Sequence, residues 1–131
     1  MRSLGGHIRT EDWKKEKHVP VIVAPDKVKA NEMFEVRITL GKEIAHPNTT
    51  EHHIRWVALY FWPEGGQYPY EVIHSTFNAH GESVDGPNKG PVYTHHEAIA
   101  CMKIAKPGIL HSLAYCNIHG LWEFSKPIAV E

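Results

Sequence analysis

The stretch Ile54–Trp62 constrains the fold more than any other part of this chain. Ile54, Trp56, Ala58 and Tyr60 fall on one side of an extended backbone, and Val57, Leu59 and Phe61 on the other. A short run that is apolar on both faces needs cover above and below, and so marks a central strand. Phe34, Val36, Ile38 and Leu40 instead alternate with Glu35, Arg37 and Thr39, the pattern of a strand with one wet face. Further strands are expected at Val19–Val23, Tyr70–Ala79, His96–Ala105, Leu110–Cys116 and Ile128–Val130, about seven in all. Turn sequences separate them: Pro63-Glu64-Gly65-Gly66, Asp85-Gly86-Pro87-Asn88 and Lys106-Pro107-Gly108. No segment sustains a 3.6-residue period over three turns. One short helical turn is expected at Asn48-Thr49-Thr50-Glu51, capped by Asn48. The expected fold class is all-β, an immunoglobulin-like seven-stranded β-sandwich. At 131 residues it forms a single domain, 1–131, with 1–12 as a partly ordered arm.

The charge balance gives no reason to expect nucleic acid or an anionic membrane as partner: 14 basic residues stand against 15 acidic ones. No apolar run approaches the roughly 20 residues of a membrane span, and the polar N-terminal stretch lacks the apolar centre of a secretory signal. A cytoplasmic location is the expectation. With only two cysteines, Cys101 and Cys116, a thiol or metal thiolate is favoured over a disulfide framework.

Histidine is the anomaly. There are 11, where average usage gives about three at this length. Histidine is the commonest metal ligand, and three segments carry candidates. Cys116-Asn117-Ile118-His119 lets one tight turn present a thiolate and an imidazole to a single ion, with backbone N–H groups aimed at the sulfur. Taken alone the motif is weak and reads more readily as a buried cysteine that ends a strand. His46-Pro47-Asn48-Thr49-Thr50-Glu51-His52-His53 places two histidines six apart across a turn. Because His52 and His53 begin a strand, they leave opposite faces and only one can join His46. In Glu16-Lys17-His18-Val19-Pro20, proline holds Val19 extended, so Glu16 and His18 share a side. One thiolate, several imidazoles and a carboxylate exceed the four ligands of a structural zinc site, and the paired Cys-x₂₋₄-Cys and His-x₃₋₅-His knuckles are absent. That favours a redox metal of higher coordination number. A cupredoxin-like copper protein stays open, although no methionine follows Met102 to serve as axial ligand; so does a non-catalytic sandwich with structural zinc. His80 could support a neighbour, His95 and His96 are assigned to the surface, and Cys101 to the core.

Trp13–Pro20, Gly41–Ile44 leading into His46–Ile54, Ala79–Val84 with Gly86-Pro87-Asn88, and Tyr115–Trp122 together resemble superoxide reductases of the one-iron, neelaredoxin type, the desulfoferrodoxin iron-binding domain family. The resemblance implies one iron per chain, bound equatorially by His18, His46, His52 and His119 with Cys116 axial. Glu16 matches the carboxylate that takes the sixth position when iron is ferric, and Lys17 the lysine that draws in the anion. It implies one-electron reduction of superoxide to hydrogen peroxide without release of dioxygen, a rubredoxin-type electron donor, and a homo-oligomer, tetramer or dimer. Two departures stand out: Ala45 replaces a proline, and His95-His96 replaces an acidic residue often followed by proline.

Overall fold

A computed structural model describes residues 1–131. Its strands are β1 (Val21–Val23), β2 (Lys27–Val28), β3 (Phe34–Thr39), β4 (Ile54–Pro63), β5 (Tyr70–Thr76), β6 (Glu97–Met102), β7 (Gly108–Cys116) and β8 (Gly120–Val130). They form two sheets, one of order β1-β3-β6 and one of order β2-β8-β7-β4-β5. The two-faced strand β4 is interior to the larger sheet, paired antiparallel to β7 on one side and β5 on the other.

Period-two burial builds the core between the sheets. Val36 and Ile38 of β3 and Ala98, Ala100 and Met102 of β6 face inward from the smaller sheet; Val57, Leu59 and Phe61 of β4, Leu110 and Ala114 of β7 and Ile128 of β8 meet them from the larger. Ser112 is fully buried, and its hydroxyl donates to the Pro20 carbonyl at 2.5 Å, which satisfies the polar group and fastens the entry to β1 onto β7.

The all-β class is as expected, but there are eight strands rather than seven. The additional one, β2, pairs in parallel with the end of β8 over two residues only, too few to leave a periodic signal. The last strand also starts at Gly120, well before Ile128. Pro127 suggests a break there, yet β8 carries it because β2 pairs only with Ala129 and Val130, so the side of β8 away from β7 is unpaired at Pro127. The expected helical turn at Asn48–Glu51 is a series of bends. Thr49 closes it, its Oγ1 accepting from the His52 N–H at 3.0 Å, while the Asn48 Nδ2 donates to the Thr94 carbonyl instead of capping. Helical structure is confined to a 3₁₀ turn, Leu4–Gly6. The arm is fastened at Arg9, which pairs in parallel with Trp122 and lays its guanidinium 5.1 Å from the centre of the indole.

Two residues sit opposite to expectation. Cys101 is exposed, because the register of β6 turns Ala98, Ala100 and Met102 inward and leaves Ile99 and Cys101 outside. His96 is buried, since the turn into β6 folds it beneath the loop that carries His46.

Candidate metal centre

The strand order gathers the candidate donors at one end of the sandwich. Val21 at the start of β1 lies beside Thr39 at the end of β3. In the other sheet Ile54, Cys116 and Gly120 lie side by side, where β4 begins, β7 ends and β8 begins. His18 therefore precedes β1, His46 follows β3, His52 precedes β4, and Cys116 and His119 span the β7–β8 turn, all at the same edge. Gly41 makes room for the loop into His46. It has φ +73°, and a Cβ there would come within 2.8 Å of the His46 backbone nitrogen.

One ligand atom from each of His18, His52, Cys116 and His119 lies within 4.8 Å of all the others. His18 Nε2 is 3.1 Å from His119 Nδ1, and Cys116 Sγ is 3.8 Å from the same His119 nitrogen. The His119 backbone N–H donates to Sγ at 3.4 Å, a contact the Cys-x-x-His turn is shaped to make. His46 lies outside that tight set, but its ring packs edge-on against both His18 and His52, with centroids 4.8 Å away in each case.

Partners on the outer nitrogens decide which atoms face inward. The His46 Nδ1–H donates to the Pro47 carbonyl at 2.6 Å, and the Glu16 carboxylate accepts from His18 Nδ1 at 2.5 Å and from the His18 backbone N–H at 3.0 Å. Each leaves Nε2 with its lone pair toward the cluster. His46 Nε2 and His52 Nε2 are buried and without a hydrogen-bond partner. Orphaned buried acceptors are costly unless a cation satisfies them. Imidazoles and a thiolate form a donor set suited to a transition metal, so the residues present fit iron.

Electrostatics favours, at His18, His46 and His52, the neutral form that metal binding requires. Burial, with the neighbouring His18, His52 and His96, holds His46 down to about 3. Burial also lowers His18, against the opposing pull of Glu16. His52 is lowered by burial, by His119 and His18, and by Lys17. Burial tends to raise the Glu16 carboxyl, but its hydrogen bonds from His18 prevail and hold it below the usual carboxylate range.

Glu16 thus sits behind His18 rather than among the donors. Lys17 is half-buried and near enough to act on His18 and His52. Lys14 and Lys42 flank the Trp13 ring at 5.7 and 5.3 Å from its centre, extending a basic rim. His52 and His53 diverge: His52 joins the cluster, while His53 stacks on His80, rings parallel within 6° and 3.4 Å apart, and its Nδ1 donates to the Thr49 carbonyl. Sequence inspection missed Trp122, whose indole lies flat under His18 at 4.8 Å and donates Nε1–H to the His119 carbonyl. Nothing in the spacing marks it, because its place follows from the register of β8. His96 was missed as well; its ring stands edge-on to His46 at 5.8 Å.

Comparison with known proteins agrees with this geometry. The family model described as Desulfoferrodoxin matches residues 10–125. The neelaredoxin of Megalodesulfovibrio gigas is 57% identical, over 94% of this chain and 95% of that protein. The superoxide reductase of Pyrococcus furiosus is 55% identical, over 88% of this chain and 91% of that one. The structure of the superoxide reductase (neelaredoxin) from Archaeoglobus fulgidus in its reduced form superposes with a TM-score of 0.86 at 51% identity, covering 94% of this chain and 98% of that one. With the family pattern spanning nearly the whole sequence, this chain belongs to the desulfoferrodoxin family.

Proposed function

We propose that this protein is a superoxide reductase, carrying out O₂•⁻ + e⁻ + 2H⁺ → H₂O₂ at one mononuclear iron. The observation that carries the proposal is the convergence of His18, His46, His52, His119 and Cys116 at one edge of the sandwich, with two buried imidazole nitrogens left without a partner. His18 Nε2, His46 Nε2, His52 Nε2, His119 Nδ1 and Cys116 Sγ would hold the ion. Bound there, iron would cycle between ferrous and ferric states and supply the single electron, with the thiolate donating electron density to it.

The surrounding residues have separable tasks. Lys17, with Lys14, Lys15 and Lys42 nearby, attracts the small anionic substrate; such fields raise on-rates by roughly 10- to 1000-fold and weaken with salt. Lys17, or an ordered water it holds, would also organise a proton at the substrate. Glu16 orients His18, one carboxylate oxygen accepting from both its Nδ1–H and its backbone N–H, which leaves the second oxygen free of His18. The His119 N–H on Sγ moderates the thiolate's basicity. His119 is exposed and gives an external one-electron donor a short approach to the centre. A rubredoxin-type donor, a cytoplasmic location and a homo-oligomeric state belong to the same proposal.

Iron quantification with spectra of the oxidised and reduced protein, followed by peroxide measurement under a superoxide flux, tests it. One iron per chain, a thiolate-to-iron band in the oxidised form, and peroxide formed without dioxygen are expected. A colourless protein holding only zinc would overturn it.

A further inference from the structure

Both neighbours of His52 are gripped by one side chain. Asn117 follows Cys116 in the β7–β8 turn; its Oδ1 accepts from the His53 N–H at 2.9 Å and its Nδ2 donates to the Glu51 carbonyl at 2.8 Å. Its own backbone N–H donates to the His53 carbonyl at 3.2 Å. His52 is therefore pinned on either side by the residue adjoining the cysteine. A second asparagine holds the same loop from across the site. Asn88 Oδ1 accepts from the Thr50 N–H at 2.8 Å, its backbone N–H donates to Thr50 Oγ1 at 3.0 Å, and its Nδ2 donates to the Glu51 carboxylate at 2.9 Å. Asn88 has φ +61°, a conformation asparagine tolerates better than most residues.

The loop needs such ties. Between His46 and His53 there is no regular structure, so no sheet ladder fixes its position. The turn bearing Cys116 and His119, by contrast, is bounded by the long pairing of β7 with β8. A ligand on an untethered loop would lose conformational freedom on binding the ion, which weakens binding. We propose that Asn117 and Asn88 are positioning residues that preset the His52 loop against the Cys116–His119 turn before metal binds. This rests on the metal centre proposed above.

The test is a cobalt(II) titration of the full-length chain against a competing chelator, with the thiolate-to-cobalt band recorded for wild type, Cys116→Ser, Asn117→Ala, Asn117→Asp and Asn88→Gly. Asn117→Ala should weaken binding by about 10- to 100-fold and shift the band, a loss typical of residues that orient ligands. Asn117→Asp keeps the acceptor for His53 but not the donor to Glu51, so it should recover part of the affinity. Asn88→Gly keeps the positive φ and should cost less than Asn117→Ala. A purely structural role would lower the urea midpoint of the metal-free protein without changing affinity or band in the folded protein. Folded Asn117→Ala with wild-type affinity and an unmoved band overturns the proposal. A band that survives in Cys116→Ser overturns the metal centre itself, and the role of the two asparagines with it.

Discussion

The two ends of the sandwich make a useful contrast. At the end away from the histidines, Trp62, Pro107, Ile109 and Pro127 line the largest concavity of the molecule, about 670 Å³, with the Asp26–Lys126 ion pair at its side. At the other end a hollow of about 510 Å³ lies beside His53 and His80 and is lined by none of the donors, while five soft and nitrogenous donors from both sheets crowd together next to it. Volume and chemistry are thus separated in this fold. A hollow lined by prolines and an indole offers apolar contact, whereas the histidine edge offers imidazole lone pairs, those of His46 and His52 buried without a partner.

The sharpest way to break the contrast is to remove the thiolate. Cys116→Ser should abolish the thiolate-to-iron absorption band entirely, whereas Trp62→Ala at the far end should leave band and iron content unchanged; spectra of both iron-loaded variants decide it. His46→Ala should weaken ferrous iron binding by at least about 100-fold, measured by chelator competition, because an inward-facing nitrogen is lost.

A third expectation concerns acid and the metal-free protein. Burial, with His95, holds His96 down to about 4 against 6.5 for the free side chain. A histidine lowered in the folded state stabilises the fold above the unfolded value, and that contribution drains away as pH falls from 6.5 toward 4. By pH 4.5 it should amount to about 2 kcal/mol lost. Urea denaturation of the metal-free protein at pH 7 and pH 4.5 should show a smaller pH-dependent drop in His96→Phe than in wild type. The smallest effect is kinetic: Lys17→Ala should slow superoxide capture by about threefold to tenfold at low salt, with the gap closing as ionic strength rises. Pulse radiolysis in two buffers measures it, and equal rates at low salt would remove the steering role.

What the sequence revealed follows the same division. Strands β3 and β4 are legible because burial on one face or both writes period-two alternation directly into the side chains. The pairing of β2 is not, because two residues cannot display a period. The donors themselves are legible by type: His and Cys are scarce on average and here cluster in three short segments. Their supports are harder to read. Glu16 shares a side with His18 in an extended stretch, but only the bend at residues 17–18 brings its carboxylate onto Nδ1. Trp122 and His96 act through packing across strands distant in sequence, which local spacing does not encode. Cys101 and His96 exchanged their expected places because the alternation through β6 buries the even-numbered residues, His96, Ala98, Ala100 and Met102, and that phase is set by pairing with β3 rather than by local sequence.

The donors arrive from positions as far apart as His18 and His119, at strand ends belonging to both sheets. An ion seated among them would rivet one sheet to the other. It follows that a growing polypeptide has no complete nest for iron until the β7–β8 turn has left the ribosome, so loading waits for that turn and should slow unfolding far more than it hastens folding.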